Sequence, residues 1–317
     1  MHYSIGHIQE AGFKLVILKD EQSGSEVALL PQFGALIHAF RIKTNEGLFN
    51  VIDHYENLDR LQKELPGSFK GSKLSPFPCR IPEGKYSFDG KHYEFGNKFM
   101  DGSAIHGLLY DKPFTVTDEM AGKDSATVSM EYRYRQDDPQ YPFDYTCRVV
   151  YTLFPDALLQ VQTILVNEGR SVMPIADGWH PYFRLGGKLD EWMLHFGASA
   201  MVEFDERLVP TGKLLDYDLF NLPAKIGKTE LDNCFLLNIE SGYPACELFN
   251  PNNKLKISFF PDSSYPYLQV YTPPHRESIA IENLSSAPDS FNNKMGLTLL
   301  QPAAPQTFTV QYQLSLL

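Results

Sequence analysis

The sequence lacks a long basic segment, an apolar run of membrane-spanning length and any cysteine pair with metal-ligand spacing. Its formal net charge is −11, from 39 acidic and 28 basic residues, so we expect no nucleic-acid partner. A transmembrane helix needs roughly 20 consecutive apolar residues. The chain contains no such run, so we expect no membrane association. The N-terminal residues show no basic region followed by an apolar stretch, and no secretory signal is predicted.

Cysteine is rare, with four residues in a chain of 317, at Cys79, Cys147, Cys234 and Cys246. None of them belongs to a CxxC pair. This usage is typical of reduced thiols in the cytosol and indicates no structural zinc. We therefore predict a cytoplasmic protein with free cysteines and no metal site.

Several catalytic motifs are also missing. The chain contains no GxSxG, GxGxxG, GxxxxGK[ST] or HExxH sequence. These absences argue against a serine hydrolase with a nucleophile elbow, a dinucleotide-binding fold, a P-loop enzyme and a zinc protease of the corresponding types.

Aromatic residues, in contrast, are abundant and make up 13% of the chain. Aromatic side chains favour strands, and apolar and polar residues alternate along several segments. Because successive side chains of a strand point to opposite faces, the alternation predicts antiparallel strands with one buried face. The clearest segments are residues 128–135, 145–153, 254–259 and 308–316.

Local signals add a hairpin and a helix. Asp89-Gly90 lies between the alternating segments 85–88 and 91–95 and predicts a β-hairpin. Residues 58–65 place three leucines on one helical face before Pro66-Gly67, which predicts one short helix that ends there. No βαβ alternation, repeat or linker interrupts the chain. We therefore predict an all-β protein, a large antiparallel β-sandwich, with a single domain over residues 1–317.

The segment 176–183, Ala-Asp-Gly-Trp-His-Pro-Tyr-Phe, places one histidine among aromatic rings. It is either aromatic core with a hydrogen-bonded histidine or a sugar-binding surface on which His180 moves a proton. On the second interpretation, Trp179 or Tyr182 stacks on the apolar face of the sugar, unless strand alternation turns Trp179 to the opposite face from His180. Asp177 is close enough in sequence to raise the pKa of His180, unless its side chain points away.

Four other residues combine a functional group with a loop or a strand end. Arg80 follows a proline-rich loop and could hold sugar hydroxyls or bond backbone carbonyls. His106 precedes Gly107 and, taken alone, is more typical of a structural or surface histidine. Asp232 could cap a turn or bind a hydroxyl. Glu282 ends an apolar run, where it could reach solvent or be buried with a pKa raised toward the range of a general base.

Taken together, these segments resemble the aldose 1-epimerase (galactose mutarotase) family. The matching motifs occur in the family's order and cover most of the chain between Gly71 and Asn292. They are Cys79-Arg80-Ile81 with Gly84–Gly90, Ile105-His106-Gly107, His180–Leu185, Val209–Gly212, Leu231–Phe235, and Leu268–Pro273 followed by Ile281-Glu282-Asn283.

The resemblance implies an open sugar cleft in a β-sandwich and interconversion of the α and β anomers of a hexose without a cofactor. At the matching positions it implies that Glu282 is the general base and His180 the general acid. It also implies that Arg80, His106 and Asp232 orient the sugar. The expected partner is a monosaccharide, and we predict a monomer or homodimer.

Two departures from the family pattern touch substrate-binding positions. Cys79 replaces the asparagine that usually precedes the arginine, and Ser103 and Leu108 stand near the family's asparagine and second glycine. Two alternatives therefore stay open, a non-catalytic sugar-binding protein and an epimerase for a phosphorylated or modified sugar. Lys70, Lys73 and Arg80 are either a positive patch that attracts a phosphate or solvated loop residues.

Overall fold

Strands dominate the computed structural model, which describes residues 2–317. Those of the N-terminal half are β1 (Tyr3–Glu10), β2 (Phe13–Asp20), β3 (Glu26–Leu30), β4 (Leu36–Thr44), β5 (Gly47–Asn50), β6 (Ser72–Leu74), β7 (Arg80–Ile81), β8 (Lys85–Phe88), β9 (Lys91–Glu94), β10 (Ala104–Ile105), β11 (Thr115–Ala121), β12 (Ala126–Arg135), β13 (Asp144–Phe154) and β14 (Leu158–Asn167). Those of the C-terminal half are β15 (Met173–Ile175), β16 (Gly178–His180), β17 (Tyr182–Phe183), β18 (Met193–Phe196), β19 (Ala198–Phe204), β20 (Pro210–Leu215), β21 (Ala224–Lys225), β22 (Asp232–Leu237), β23 (Cys246–Phe249), β24 (Leu255–Pro261), β25 (Tyr267–Tyr271), β26 (Ile279–Leu284), β27 (Thr298–Leu300) and β28 (Pro305–Leu316).

Helical structure is sparse: α1 (Leu58–Ser68), α2 (Ser290–Asn293) and 3₁₀ turns at Pro82–Gly84 and Leu189–Glu191. The predicted short helix is confirmed as α1, which buries Leu61 and Leu65. Asn57 caps its N-terminus by accepting a hydrogen bond from Arg60 N, a typical role for asparagine. The helix continues past Pro66 and ends at Ser68, beyond the predicted stop. Between residues 2 and 317, no helix is long and apolar enough to cross a membrane.

Two large antiparallel sheets form the body of the protein. One has nine strands in the order β11-β12-β13-β14-β28-β24-β23-β18-β21. The other has eight, with the path β20-β19-β22-β25-β26-β16-β6 and β17 paired to β26. A third sheet follows the order β1-β2-β3-β4-β5. The four segments with the clearest alternation become β12, β13, β24 and β28, all in the nine-stranded sheet. The predicted hairpin is confirmed as β8 and β9.

Alternation buries one face of each large sheet in a shared hydrophobic core. Val149 and Val310 of the nine-stranded sheet belong to the same core cluster as Leu268 and Ile281 of the eight-stranded sheet. Aromatic pairs join the two layers, for example Phe183 with Phe259. The prediction of an all-β sandwich is therefore confirmed, and its core includes residues from Tyr3 to Leu314.

The N-terminal sheet covers one side of this sandwich. Val16 and Leu18 contribute to the main core, whereas Leu15 on the other face packs in a second cluster with Leu61 and Leu65 of α1. Residues directly after α1 then lead into β6, the end strand of the eight-stranded sheet. The face of the eight-stranded sheet that is turned away from the main core carries a third, smaller apolar cluster and, beside it, polar groups.

Candidate active site

A cleft of about 200 Å³ lies on the face of the eight-stranded sheet turned away from the main core. It brings together six of the seven residues that the sequence singled out, all except Trp179. The side chains that line it come from the end of α1, the loops around β7 and β10, and strands β16, β17, β22, β25 and β26. The lining residues are Gly67, Ser68, Phe69, Cys79, Arg80, Phe99, Ile105, His106, His180, Tyr182, Asp232, Gln269, Tyr271 and Glu282.

His180 and Glu282 lie next to each other in this cleft. His180 ends β16 and Glu282 lies within β26, and these strands pair. Their side chains are nearly buried, and His180 Nε2 lies 3.4 Å from Glu282 Oε1. This separation is longer than a close ion pair, which measures about 2.7–2.9 Å between charged partners. The two groups are therefore near enough to act on neighbouring oxygen atoms of one small molecule.

Burial disfavours the charged form of both groups. It raises the pKa of Glu282 well above its ordinary value, with a further increase from the nearby Asp232 carboxylate and a decrease from Arg80. It lowers the pKa of His180 to about 3. Both directions oppose the expected pairing of an ionised Glu282 with a protonated His180. Burial therefore favours an uncharged pair, with one proton on the carboxyl group, over the charged arrangement.

His106 is placed beside His180 by an unusual backbone conformation. Its φ is 59°, and its backbone N–H donates to Cys79 O at 2.9 Å. Its ring lies edge-on to the ring of His180, with 4.9 Å between centroids, and also packs on Phe69. Burial lowers the pKa of His106 well below its ordinary value, and repulsion from His180 and Arg80 adds to this. A neutral His106 can donate to one ligand oxygen or accept from one hydroxyl.

Charged and amide groups near Glu282 also line the cleft. Arg80 Nε donates to Asp101 Oδ2 at 3.0 Å, so the guanidinium is held by a loop residue. Asp232 accepts a hydrogen bond from Gln269 Nε2 at 2.8 Å. Burial raises the pKa of Asp232, while Arg80 and the Gln269 hydrogen bond lower it. Together these groups can bind several hydroxyls at once.

Gln269 is a site residue to which the sequence interpretation gave no role. It lies on β25 directly opposite Glu282 in the strand register. Its neighbours Leu268 and Val270 point into the main core, so Gln269 is turned to the cleft. The available signal was a polar amide in an otherwise apolar and aromatic strand, Tyr-Leu-Gln-Val-Tyr.

Tyr182 contacts the imidazole of His180. The two rings are stacked, with 5.0 Å between centroids and an interplanar angle of 7°. Tyr182 is 6% exposed and lines the cleft. Its ring therefore supports His180 as well as forming part of the wall.

Trp179 does not line the cleft, which corrects its predicted role as a substrate-binding residue. Gly178 and His180 share one face of β16, so Trp179 between them points to the other face. Its side chain is 3% exposed and packs against Tyr151 of the opposite sheet in the main core. The ring also lies 4.4 Å from the Nζ atom of Lys73.

The sequence left alternatives open for Asp177 and for the lysines, and the structure gives their surroundings. The Asp177 carboxylate binds Lys73 and Tyr265 inside the core, so it is not available to His180. Lys73 is fully buried, and Lys70 pairs with Asp53. Lys70, Lys73 and Arg80 therefore form no positive patch, and Lys73 is not a solvated loop residue either.

One group in residues 2–317 brings three potential metal ligands together: His106, His180 and Glu282, whose ligand atoms lie within 4.8 Å of one another. Two imidazoles and a carboxylate suit a divalent transition metal in ligand type. The same groups suit proton transfer, which needs the imidazole lone pair that a metal would occupy. The absence of a metal stays a prediction.

Comparisons with known proteins give the same family as the sequence motifs. The family model described as aldose 1-epimerase matches residues 15–313. The uncharacterized protein YihR of Escherichia coli (strain K12) is 28% identical over 269 residues, which are 83% of this chain and 82% of that protein. A galactose mutarotase-like protein from Clostridium acetobutylicum has a similar fold, with a TM-score of 0.88, 18% identity and coverage of 100% of this chain and 99% of the other. Galactose 1-epimerase from Lactobacillus acidophilus gives a TM-score of 0.82, 18% identity and coverage of 99% of both chains. The chain therefore belongs to the aldose 1-epimerase family.

Proposed function

We propose that this protein is an aldose 1-epimerase, an isomerase that interconverts the α and β anomers of a neutral hexose by acid/base catalysis without a cofactor. The observation that carries the proposal is the pair His180–Glu282, 3.4 Å apart on the floor of a polar cleft. A non-catalytic sugar-binding protein would need the surrounding side chains that bind the hydroxyls of the sugar. It would not need two nearly buried titratable groups that face each other.

The chemistry requires one proton to leave the anomeric hydroxyl and one to reach the ring oxygen. In the proposed direction, Glu282 takes the proton from O1 and His180 gives a proton to O5, and the C1–O5 bond breaks. The resulting aldehyde rotates about C1–C2, and the reverse transfers close the ring on its other face. Each positioned group contributes on the order of 100- to 10,000-fold.

One proton on the pair is enough for this reaction. The pair supplies one acid and one base whether the proton lies on the imidazole or on the carboxyl group. Each ring opening takes one proton from the sugar and gives one proton to it, so the pair still holds one proton afterwards. Before a sugar binds, burial favours the proton on the carboxyl group. A bound sugar places hydroxyls between the two groups, through which the proton can move to the arrangement that the reaction needs.

The other cleft residues are assigned to sugar binding. Arg80 and Asp232 are suited to hydroxyls of the sugar ring, and His106 to an oxygen next to His180. Tyr271 and Tyr182 offer aromatic surface for the apolar face of the ring. A neutral sugar is favoured over a phosphorylated one because Lys73 is buried and Lys70 is paired with Asp53.

The test is polarimetry on freshly dissolved α-galactose and α-glucose, with glucose 6-phosphate as the competing substrate. Glu282→Gln should reduce the catalysed rate by on the order of 100-fold or more, because the amide cannot accept the proton. Glu277→Gln is the matched control, since Glu277 is an exposed glutamate paired with Lys188, and it should leave the rate unchanged. A Glu282→Gln protein with the wild-type rate would refute the proposed role, and a wild-type protein that binds but does not convert these sugars would favour the non-catalytic alternative.

We also propose that the enzyme works in the cytosol as a monomer or homodimer. The four cysteines support the location, since all are buried and free. Burial raises the pKa of Cys79, which lines the cleft, well above its ordinary value, so this thiol stays neutral. A neutral thiol there suits a wall of the cleft and no redox role.

A further inference from the structure

A buried ion pair lies behind the strand that carries His180. Lys73 Nζ is 2.5 Å from Asp177 Oδ1, and both side chains are 0% exposed. Such pairs add little net stability, because the loss of solvation offsets the attraction of the charges. The proposed reaction uses neither group. The pair therefore calls for an explanation other than global stability or proton transfer.

Hydrogen bonds extend this pair across the sandwich. Lys73 Nζ also donates to Thr163 Oγ1 at 3.2 Å, and Thr163 lies on β14 of the opposite sheet. The Tyr265 hydroxyl donates to Asp177 Oδ1 at 2.6 Å. Lys73 Nζ makes a further bond to Gly178 O at 3.1 Å, within β16 itself. The network thus ties the short strand β16 to the sheet on the other side of the core.

The same aspartate sets how β16 lies against β26. Asp177 N donates to Ser285 Oγ at 2.8 Å, and Ser285 N donates to Asp177 O at 2.8 Å. Asp177 precedes His180 by three residues, and Ser285 follows Glu282 by three residues. The two candidate catalytic residues are therefore connected through one doubly hydrogen-bonded junction.

We propose that Lys73 and Asp177 are positioning residues that set the separation between His180 and Glu282. This proposal rests on the proposed function of that pair. Hydrogen bonds between charged groups have defined directions, whereas apolar contacts would allow β16 to slide or rotate. A displacement of about 1 Å in a catalytic group can cost on the order of 100-fold in rate, so the reaction is sensitive to this junction.

The test replaces both charges together, in Lys73→Met with Asp177→Leu. A single replacement would leave one buried charge without a partner and is expected to unfold the protein. The double variant should fold, as judged by cooperative thermal unfolding, and should keep the wild-type KM. Its kcat should fall on the order of 10- to 100-fold. Arg41→Met with Glu26→Leu is the matched control, because it removes a cross-strand ion pair in the N-terminal sheet and should leave kcat unchanged.

Two further measurements decide the outcome. A crystal structure of the double variant should show a His180 Nε2–Glu282 Oε1 separation that differs from 3.4 Å or that varies between copies. Tyr265→Phe, which removes a single hydroxyl, gives a milder variant that should fold even where the double variant does not, and its kcat should fall several-fold at constant KM.

Wild-type kcat in the folded double variant or in Tyr265→Phe would overturn the proposal, as would a change confined to KM. If the wild-type protein does not convert sugars, the proposed function fails by itself. The separation in the double-variant structure would still test the positioning role, and an unchanged 3.4 Å would refute it.

Discussion

The imidazole of His180 and the carboxyl of Glu282 determine the expected pH dependence of the enzyme. On the proposed mechanism, the pair works while it holds one proton. It fails when it gains a second at low pH or loses the last one at high pH. Burial lowers the pKa of His180 to about 3 and raises that of Glu282. On the acid side, the working range therefore extends to lower pH than the ordinary values would give.

We accordingly expect kcat/KM, which follows ionisations of the free enzyme, to show no decline as the pH falls from 7 to 5. The measurement is the initial rate by polarimetry at low sugar concentration across this range, corrected for the uncatalysed reaction. A decline with a midpoint near 6.5, the ordinary value for histidine, would show that an independently protonated His180 is required.

Gln269 gives a prediction about sugar binding. Its amide donates to Asp232 in a partly buried site, and a hydrogen bond to a charged group contributes about 1.5–3 kcal/mol. Gln269→Leu should therefore raise KM roughly ten- to a hundredfold, because Asp232 loses its donor and its pKa rises further. Steady-state kinetics measures this, with Gln311→Leu as control because it removes a glutamine–glutamine bond in the other large sheet. Equal changes in KM in the two variants would show that Gln269 has no specific role in sugar binding.

At the level of single residues, the sequence could predict which groups meet but not every direction in which they point. Arg80, His106 and Asp232 lie with His180 and Glu282 in one cleft, and their roles stay predictions. The face of Trp179 stayed open in the sequence because β16 is only three residues long and all three are buried. Burial on both faces removes the contrast between polar and apolar positions that identifies the core side of a strand.

At the level of elements, the loop that presents His106 depends on one close backbone contact. A Cβ atom on Gly107 would lie 2.3 Å from Ser75 O, and its φ of +74° disfavours any side chain. Gly107→Ala should therefore lower the free energy of unfolding by about 2–5 kcal/mol, from backbone strain and the steric clash together. The measurement is chemical denaturation.

Gly212→Ala provides the matched control for this prediction. Gly212 has a similar φ of +88° and no atom within 4 Å of its would-be Cβ. Gly212→Ala should lower the free energy of unfolding only by the backbone strain, about 1–2 kcal/mol. Equal losses in the two variants would mean that Ser75 can move away and that the contact does not constrain the loop.

The elements differ in how clearly the sequence predicts them. Strands such as β12 and β28 were predicted because one face is buried and the other meets solvent, which produces alternation. In β26 every residue of Ile-Ala-Ile-Glu-Asn-Leu is buried, so no alternation marks the strand that carries Glu282. The end of α1 was placed too early because Pro66 is tolerated inside its last turn.

At the level of the whole molecule, composition and alternation predicted the sandwich, but they could not predict the order of its strands. Strand β14 pairs with β28, and β28 pairs with β24, although β14 and β28 are far apart in sequence. Such pairings depend on complementary surfaces and have no local signal. A single domain over residues 1–317 stays a prediction, which the shared core from Tyr3 to Leu314 supports.

Histidines buried in a neutral state make the stability of the whole fold depend on pH. His38, which packs beside Phe13, is 6% exposed. Burial lowers its pKa to about 3, helped by repulsion from His54 and Arg41. Because the folded pKa lies below the unfolded value of about 6.5, the unfolded chain binds an extra proton between these values. The contribution of His38 is therefore complete above pH 6.5 and is lost as the pH falls toward 3.

His38→Gln should consequently make the fall in unfolding free energy between pH 6 and pH 4 shallower, by up to about 1.4 kcal/mol per pH unit. Urea titrations at several pH values measure this slope. A residual slope should persist, because burial also lowers the pKa of His106 and His180. His92→Gln is the control, since His92 is exposed on β9, and it should retain the wild-type slope. If His38→Gln also retained it, protons would reach His38 in the folded state, and the acid sensitivity of the fold would have to come from the cleft histidines.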